Sequence, residues 1–252
     1  MKNQPKPVVL VTGALGGIGK AICDVFFDRG FQVIGVDCRQ PQKLQHEFVN
    51  FDIAKMHSDI KETQHFCKHI EKIAGGRLDA LVNNAAAQII KPVEELTKED
   101  WDITLNTNLL APFWLIQKFL PMLRLVKGSI VNIASIHTFL TKPQFTVYAT
   151  SKASLVALTR SLAIELAPDI RVNALLPGAT DTPMLRQGFI ENRDLFDRLN
   201  KFQPLGRIAS PEEIARTAFF LSGPDAGFIT GVSLNVDGGI GCCLHDAVSK
   251  TN

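Results

Sequence analysis

The chain alternates short runs of apolar residues with longer segments in which apolar residues recur every three or four positions. The short runs are typical of strands buried on both faces, and the longer pattern is typical of amphipathic helices. Strands are expected at 8–11, 31–36, 48–53, 78–82, 128–135, 170–176 and 232–236. Helices are expected at 20–29, 57–74, 98–125 and 147–167, and from Pro211 onward.

This alternation predicts an α/β protein with one parallel sheet of about seven strands, covered by helices on both faces. No repeat, low-complexity tract or linker divides the sequence, so residues 1–252 are expected to form a single domain. Pro112 is expected to bend or interrupt the helix over 98–125, because proline removes a backbone donor. The mixed polar and aromatic segment 180–206 is expected to be a mobile lid over the sheet edge, and 241–252 a C-terminal tail.

Composition and charge limit the classes of binding partner that are expected for this protein. A net charge of +2 gives no general attraction to nucleic acid or to acidic membranes. The longest apolar run, 109–116, is too short to span a bilayer, and the first residues do not resemble a signal peptide. The five cysteines are an odd number and are interpreted as free thiols in a reducing compartment. We therefore expect a soluble, cytoplasmic protein. The absence of a G-x-S-x-G motif disfavours a serine hydrolase.

Two groups of residues resemble incomplete metal sites. His65 and His69 are four positions apart in an expected helix, but no third ligand is paired with them. Cys242, Cys243 and His245 lie close together in the tail without a second half of a zinc motif. We expect no bound metal.

A glycine-rich turn follows the first expected strand and precedes the first expected helix. Its glycines, Gly13, Gly17 and Gly19, would let the backbone turn tightly and approach a pyrophosphate, which the free N–H groups of the helix could hold. Asp37 ends the second strand, about 20 residues later, where a carboxylate can accept hydrogen bonds from an adenosine ribose. It would repel a 2′-phosphate, although Arg39 lies two residues on. NAD is therefore favoured over NADP.

The strongest candidate for chemistry is Tyr148, the only tyrosine in the chain. In a helix over 147–167, Lys152 would lie one turn away on the same face. A cation at that distance is expected to lower the pKa of the phenol and make it usable as a general acid or base. Ser135 stands thirteen positions upstream at the carboxyl end of a strand, the edge where open parallel sheets bind ligands.

These features together resemble the short-chain dehydrogenase/reductase family, in its single-domain branch of about 250 residues. The resemblance runs from Val8 to Gly239. It rests on motifs in the order and spacing of that family. They are Thr12-Gly13-x-x-x-Gly17-x-Gly19, Asn83-Asn84-Ala85, Asn106-Thr107-Asn108-Leu109, Ser135, Tyr148-x-x-x-Lys152, and Pro177-Gly178 with Thr182.

The resemblance implies a Rossmann-like fold and an NAD-dependent oxidoreductase that interconverts a secondary alcohol and a ketone. Tyr148 would exchange the proton, Ser135 would hold the substrate oxygen, Lys152 would bind the nicotinamide ribose and lower the pKa of Tyr148, and Asn108 would hold a relay water. The implied cofactor-binding residues are Gly13, Gly17, Ile18, Gly19, Asp37, Asp52, Ile53, Asn84, Tyr148, Lys152, Pro177, Gly178, Thr180 and Thr182. The implied substrate-binding residues are Ser135, His137 and Tyr148. Members of the family are often tetramers, so a homo-oligomer, a tetramer or a dimer, is expected.

Two alternatives stay open. One is an NADP-linked carbonyl or 3-ketoacyl reductase, which needs basic residues at the pocket mouth, such as Arg124. The other is a dinucleotide-binding protein without catalysis. The substrate is not determined by the sequence. Apolar residues expected around the pocket favour a partly apolar alcohol, whereas Arg186 and Arg193 favour an acid. The expected apolar lining is His137, Phe139, Phe145, Met184, Leu185, Phe189 and Phe196.

Overall fold

The structure, a computed structural model, describes residues 5–41, 43–189 and 193–244. Within them the chain forms one seven-stranded sheet in which every pair of neighbouring strands is parallel. The strands are β1 Val8–Thr12, β2 Gln32–Asp37, β3 Glu47–Asn50, β4 Ala80–Asn83, β5 Ser129–Ile133, β6 Arg171–Pro177 and β7 Ser233–Val236. Their spatial order is β3-β2-β1-β4-β5-β6-β7. The α/β class and the number of strands predicted from the sequence are confirmed.

Eight α-helices alternate with these strands in the described ranges. They are α1 Gly17–Asp28, α2 Ile60–Ala74, α3 Lys98–Leu105, α4 Ala111–Leu125, α5 Thr146–Glu165, α6 Pro183–Gln187, α7 Arg193–Phe202 and α8 Pro211–Ser222. Among the residues that the structure describes, no helix combines the length and the apolar character needed to cross a membrane.

The sheet carries a buried apolar cluster on each face. One cluster packs α1 and α8 against it, with Phe26 and Ile214 fully buried. The other packs α2, α4 and the end of α5, with Phe119 and Ile70 fully buried. Because β1, β4 and β5 are covered on both sides, their sequences are almost continuously apolar. The sheet is therefore doubly wound, as the alternating pattern predicts.

The strand order reverses direction between β1 and β4, since the chain winds outward to β3 and then returns to the other side. At such a switch point the loops that follow two neighbouring strands turn away from each other and leave a crevice at the carboxyl edge. The glycine turn follows β1, and the Asn83-Asn84-Ala85 motif begins at the last residue of β4. The fold thus brings these two motifs, which are 70 residues apart, to the same crevice.

Several boundaries differ from the expectations. The helix expected over 98–125 is divided by a π-helical segment, Asn106–Leu110, that ends just before Pro112. Proline has no N–H, so the carbonyl of Asn108 cannot accept the α-helical hydrogen bond from residue 112. The chain takes π-helical geometry just before this position. The interruption was predicted, but it lies on the N-terminal side of the proline.

The other corrections concern loops. The third strand ends at Asn50 instead of residue 53, and Asp52 caps a short 3-10 helix, Ile53–Lys55. The segment 180–206 contains α6 and α7, and its role as a lid stays a prediction. Residues 190–192 of that segment and residues 245–252 of the predicted tail, with His245, lie outside the described residues.

Candidate active site

Tyr148, Lys152 and Ser135 lie together at the carboxyl edge of the sheet. Tyr148 and Lys152 are one turn apart on α5, and the Lys152 ammonium lies 5.8 Å from the centroid of the Tyr148 ring. Ser135 follows β5 by two residues and caps a short 3-10 helix, Ile136–Thr138, so it is not part of the strand as expected. All three side chains are buried. The predicted grouping of these residues is therefore found in the structure.

The ammonium of Lys152 donates a hydrogen bond to the carbonyl oxygen of Ile133 at 2.7 Å. This carbonyl ends β5, so the bond fixes the lysine side chain against the edge of the sheet. An ammonium group has three donors, and the structure assigns one of them to Ile133. The lysine therefore keeps donors for a ligand at this edge.

Burial shifts the pKa values of Tyr148 and Lys152 in directions that disfavour an ionised phenol beside a charged ammonium. Burial raises the pKa of Tyr148 to about 12, and a hydrogen bond with the Ser135 hydroxyl offsets only part of that effect. Burial also lowers the pKa of Lys152 to about 7. The pKa of Tyr148 is raised on balance in this structure, and the lowering expected from Lys152 stays a prediction. Desolvation dominates because both groups are shielded from water, and the ammonium is bonded to Ile133 instead of the phenol.

Asn108 lies in the π-helical segment and is fully buried. Its Oδ1 accepts from the N–H of Ala87 at 2.8 Å, and its Nδ2 donates to the Ala87 carbonyl at 2.9 Å and to the Ser151 hydroxyl at 2.9 Å. The Ser151 hydroxyl in turn donates to the carbonyl oxygen of Tyr148 at 2.7 Å. Asn108 thus braces the loop after β4 against the turn of α5 that carries Tyr148.

The glycine turn has no room for side chains at two of its positions. Gly13 has φ +64°, and a Cβ there would lie 2.8 Å from Cα of Ala85. A Cβ at Gly19 would overlap the carbonyl oxygen of Gly13 and lie 2.6 Å from Nδ2 of Asn84. Gly17 starts α1, so the turn delivers the first N–H groups of that helix to the crevice. Ile18 follows in the first turn of α1 and is partly buried.

Thr12 and Asn84 tie this turn to the loop after β4. The Thr12 hydroxyl accepts from the N–H groups of Asn84 and Ala85 at 3.0 and 3.1 Å. Nδ2 of Asn84 donates to the carbonyls of Thr12 and Gly13 at 3.0 and 3.1 Å. The amide donors of Asn84 are therefore engaged with the backbone, and its Oδ1 is the side-chain atom left for a ligand.

Asp37 lies at the end of β2, and its carboxylate is held from several sides. Oδ2 accepts from the N–H of Leu15 in the glycine turn at 3.0 Å. The Arg39 guanidinium binds it through two contacts, Nε to Oδ1 at 2.9 Å and Nη2 to Oδ2 at 3.0 Å. Burial raises the pKa of Asp37, but the hydrogen bonds from Arg39 and Leu15 outweigh it and hold the pKa below its usual value. Asp37 is therefore a carboxylate whose charge Arg39 largely compensates.

The other predicted cofactor residues follow the carboxyl ends of β3 and β6. Asp52 accepts from the N–H of Ala54 at 3.1 Å, and the next residue, Ile53, is buried. Pro177 ends β6, and Gly178 has no space for a Cβ because Cα of Asp237 would be 2.9 Å away.

Thr180 and Thr182 lie in the loop that follows β6. The Thr180 hydroxyl donates to the Gly178 carbonyl at 3.1 Å, and Thr180 is buried. Thr182 caps α6, and its methyl group would meet a Cβ at Gly17 at 2.8 Å. The loop after β6 therefore packs directly against the glycine turn.

An aromatic stack lies beside the tyrosine. The His137 ring stacks on Phe145, with centroids 4.5 Å apart and an interplanar angle of 3°, and both rings meet Tyr148 edge to face. Nδ1 of His137 lies 3.1 Å from the Thr141 hydroxyl. The Lys142 ammonium lies 4.7 Å from the centroid of Phe145 on this stack. Burial, with the charge of Lys142, lowers the pKa of His137 to about 4, so the imidazole is neutral at pH 7.

The predicted lid contributes a smaller cluster. Phe189 meets Phe196 edge to face at 5.7 Å, and the Arg186 guanidinium lies 5.8 Å from the Phe196 centroid. Arg186 also binds Asp181 through two contacts at 2.6 and 2.7 Å. Its charge is therefore already paired, and the side chain of Arg193 lies outside the described part of the chain. Phe139 is expected in the pocket lining, and its ring packs against Gly241 at the start of the tail.

Sequence reasoning missed three features of the site. These are the Ser151 bridge, the Ile133 carbonyl and the position of Lys142 over Phe145. Ser151 stands inside the Tyr148-x-x-x-Lys152 motif, three residues after the tyrosine, so its place on the buried face could have been read from helical spacing. The bond to the Ile133 carbonyl joins two elements, and the place of Lys142 over Phe145 depends on the path of one loop, so neither has a signal in the sequence.

The candidate metal ligands that the structure describes are not gathered into a site. His65 and His69 are both exposed on α2. Across the described ranges, no three His, Cys, Asp or Glu side chains form a group that could hold a metal ion.

Comparison with known proteins gives matches over nearly the whole chain. The family model for enoyl-(acyl carrier protein) reductase matches residues 13–241. A 3-oxoacyl-[acyl-carrier-protein] reductase from Thermotoga maritima is 34% identical over 92% of this chain and 97% of its own length. The ligand-free aldohexose dehydrogenase of Thermoplasma acidophilum has a TM-score of 0.90 at 30% identity, covering 97% and 98% of the two chains. A 4-hydroxyisoleucine dehydrogenase complexed with NADH has a TM-score of 0.85 at 28% identity, covering 95% of this chain and 100% of that one.

Proposed function

The chain belongs to the short-chain dehydrogenase/reductase family of oxidoreductases, and from this premise we propose that it interconverts a secondary alcohol and its ketone with NAD as cofactor. The observation that carries the proposal is the grouping of the Tyr148, Ser135 and Lys152 side chains at the sheet edge. Tyr148 can transfer a proton, Ser135 can donate a hydrogen bond to a substrate oxygen, and Lys152 can bind the hydroxyl groups of a polyol. This combination suits proton exchange coupled to hydride transfer.

The residues present fit a dinucleotide. The glycine turn is packed so closely that a Cβ at Gly13 or Gly19 would clash with protein atoms, and the turn leads into the start of α1, where backbone N–H groups can hold a pyrophosphate. The related structure described as complexed with NADH supports a nicotinamide cofactor. Such a cofactor supplies the hydride acceptor or donor, which no side chain of this protein can offer.

We assign the proton transfer to the hydroxyl oxygen of Tyr148. In the oxidation direction, this oxygen takes the proton of the substrate hydroxyl while the Ser135 hydroxyl donates a hydrogen bond to the substrate oxygen and fixes its position. A phenol whose pKa is raised to about 12 by burial does not ionise in advance at neutral pH. Tyr148 must therefore pass its own proton to another group as it accepts the proton of the substrate hydroxyl.

Lys152 and Asn108 are the remaining members of this proposal. Lys152 keeps donors beyond its bond to Ile133, and these would bind the hydroxyls of the cofactor ribose. With a pKa lowered to about 7, the same ammonium can give up and regain a proton near neutrality. The backbone carbonyl of Asn108, which Pro112 leaves without an α-helical donor, would hold a water that passes the proton to solvent.

Selection of NAD over NADP rests on Asp37. Its carboxylate would accept hydrogen bonds from the two adenosine ribose hydroxyls and would repel a 2′-phosphate. Arg39 opposes this selectivity, because its guanidinium compensates the charge of Asp37 and could itself bind a phosphate. We therefore propose a preference for NAD that is weaker than an unpaired aspartate would give.

The pairing of Arg39 with Asp37 is the observation that favours the second candidate, an NADP-linked carbonyl or 3-ketoacyl reductase. The similar Thermotoga protein is named for reduction of a 3-oxoacyl group on a carrier protein. Arg124, the predicted basic contact for such a carrier, lies 3.9 Å from Asp169, which offsets its charge. A catalytically inert protein is the third candidate, and turnover of any substrate would exclude it.

We also propose that the protein forms a homo-oligomer, a tetramer or a dimer, and acts in the cytoplasm. Large apolar side chains are exposed on several surfaces, including Leu125 in the last turn of α4, Ile164 on α5 and Phe228 before β7. A contact between subunits that covers such side chains removes apolar surface from water, which favours association. Sedimentation velocity on the purified protein would give its oligomeric state.

The test of the proposed function is a screen for NADH or NADPH formation with sugar, hydroxy-acid, steroid and cyclic secondary alcohols, together with the reverse reaction on ketones. We expect turnover of at least one class, faster with NAD than with NADP. A protein that binds NADH but turns over no member of any class would contradict the proposal. Turnover with NADP alone would favour the second candidate.

A further inference from the structure

The segment between Ser135 and α5, residues 136–145, forms one rim of the candidate site, and we call it the rim segment. It carries His137 and Phe145, whose stacked rings face Tyr148 edge to face at 5.7 and 6.1 Å. It also carries Lys142, with its ammonium 4.7 Å from the centroid of Phe145. A cation held over an aromatic face is attracted to the ring and is more restricted than a free surface lysine. The rim segment therefore places a positive charge next to the wall beside Tyr148.

This charge differs from those of two nearby cations, Lys91 and Arg186, because no carboxylate in the described part of the chain compensates it. The backbone N–H of Lys91 donates to the carbonyl of Gln144 in the rim segment, and the Lys91 ammonium binds Asp100 at 2.8 Å. The guanidinium of Arg186 on α6 binds Asp181. For Lys142, no carboxylate among residues 5–41, 43–189 and 193–244 lies within ion-pair distance. His137 adds no charge at neutral pH, because burial and the Lys142 ammonium lower its pKa to about 4. Lys142 thus leaves an uncompensated positive charge beside a neutral aromatic wall.

We propose that Lys142 is a specificity-determining residue that binds an anionic group of the substrate, with His137 and Phe145 forming the wall along which the substrate lies. This proposal rests on the proposed function, since it names the class of alcohol or ketone that the same site takes. The anionic group is a carboxylate or a phosphate, both of which an ammonium binds through charge-assisted hydrogen bonds.

The geometry also limits where the anionic group lies on the substrate. The Lys142 ammonium lies over Phe145, whose ring centroid is 6.1 Å from that of Tyr148. A carboxylate bonded directly to the reacting carbon would be held against Ser135 and Tyr148, short of the lysine. The subsite therefore fits a hydroxy acid or oxo acid in which one or more carbons separate the anionic group from the reacting carbon.

The experiment measures kcat/KM for NADH-dependent reduction of 2-, 3-, 4- and 5-oxo acids and of the methyl esters of the same acids. For the wild-type protein we expect the acid to be preferred over its ester in the longer members of the series. Lys142→Met should lower kcat/KM for those acids by about tenfold and leave the esters within about twofold, because only the acids lose a charge-assisted contact. Lys142→Glu should lower kcat/KM for the acids further, and Lys142→Arg should retain most of the preference for acid over ester.

Lys61→Met is the matched control, since it removes the same charge from an exposed position on α2. It should leave all rates unchanged. The proposal is overturned if Lys142→Met lowers kcat/KM equally for acids and esters, or if it changes kcat/KM for neither. It is also overturned if the wild-type protein prefers the ester throughout the series. A series of alkyl phosphates bearing a ketone distinguishes phosphate from carboxylate by the same comparison.

Failure of the proposed function is separable from failure of this subsite. If no oxo compound or alcohol is turned over, unreactive valerate is added to the protein with NADH, and the melting temperature is measured. Valerate should raise the melting temperature of the wild-type protein and of Lys61→Met, and not that of Lys142→Met. Equal shifts in all three, or no shift in the wild type, would overturn the subsite independently of turnover.

Discussion

Lys152 donates a hydrogen bond of 2.7 Å to the carbonyl oxygen of Ile133, in a place where the lysine is only 2% exposed. One bond to a neutral carbonyl does not replace the hydration of an ammonium, and burial lowers the pKa of the lysine to about 7. The bond joins the last residue of β5 to the helix that carries Tyr148. The position of the lysine is therefore set by the sheet as well as by its spacing from the tyrosine.

The folding stability should depend on the proton of Lys152. Its folded-state pKa of about 7 lies below the ordinary lysine pKa of 10.5, so above pH 7 the unfolded chain binds more protons than the folded one. The free energy of unfolding should therefore rise between pH 7 and 9, by up to roughly 1 kcal/mol per pH unit from this group. Urea denaturation at pH 7, 8 and 9 measures the slope.

Lys152→Met supplies the comparison for that measurement, because it removes the titrating group and keeps an unbranched side chain. We expect the rise with pH to shrink in this variant. The same slope in both proteins would mean that the lysine stays protonated in the folded protein across this range.

Tyr148→Phe should abolish turnover, because the variant has no hydroxyl to exchange a proton with the substrate. General acid–base catalysis contributes about 10²- to 10⁴-fold, and a loss in this range is expected in kcat. Ser135→Ala should lower kcat less, because it leaves the proton carrier in place. NADH affinity, measured by fluorescence titration, should change little in either variant. Turnover by Tyr148→Phe near the wild-type rate would remove the tyrosine from the mechanism.

Asp37 and Arg39 should shift cofactor preference in opposite directions. Asp37→Ala should narrow the ratio of kcat/KM for NAD over NADP by tenfold or more, because it removes the group that repels a 2′-phosphate. Arg39→Ala should widen the ratio, because it leaves the carboxylate uncompensated. Both ratios are obtained from steady-state kinetics with one alcohol.

A structural effect of the aspartate needs its own control, since Oδ2 of Asp37 also accepts from the N–H of Leu15 in the glycine turn. Asp37→Asn keeps an oxygen acceptor for that bond and removes the charge. If it narrows the ratio as much as Asp37→Ala does, the charge selects the cofactor. An unchanged ratio in both variants would refute the assignment.

Gly19→Ala should weaken NADH binding by at least tenfold. The new methyl group would overlap the carbonyl oxygen of Gly13 and press on the Asn84 amide, so the turn would have to move. We expect a loss of stability of about 1–3 kcal/mol as well, the usual cost of an extra group in a packed site. Fluorescence titration and urea denaturation measure the two effects.

Gly223→Ala is the matched control for this substitution. Its added Cβ would meet only ordinary contacts at 3.5 and 3.6 Å, and its φ of −87° suits any residue. The control should bind NADH like the wild type. Normal NADH affinity in Gly19→Ala would show that the turn does not form the pyrophosphate cradle.

The sequence by itself determined the class of the fold and the members of the candidate site. Strands buried on both faces must be apolar throughout, and helices at the sheet surface must repeat every three or four residues, so both patterns are local and readable. The same holds for the glycine turn, where positive φ at Gly13 and close backbone approach at Gly19 exclude other residues. Tyr148 and Lys152 share a face because helical spacing alone puts them there.

Only the tertiary structure decided how these groups are charged and paired. Whether Lys152 lowers the pKa of Tyr148 depends on the burial of both groups and on a carbonyl 19 residues away from the lysine, and helical spacing shows neither. The pairing of Arg39 with Asp37 and of Arg186 with Asp181, and the placement of Lys142 over Phe145, depend on loop paths and side-chain rotamers. Electrostatic interactions follow distance and solvent exposure, and neither is encoded in spacing along the chain.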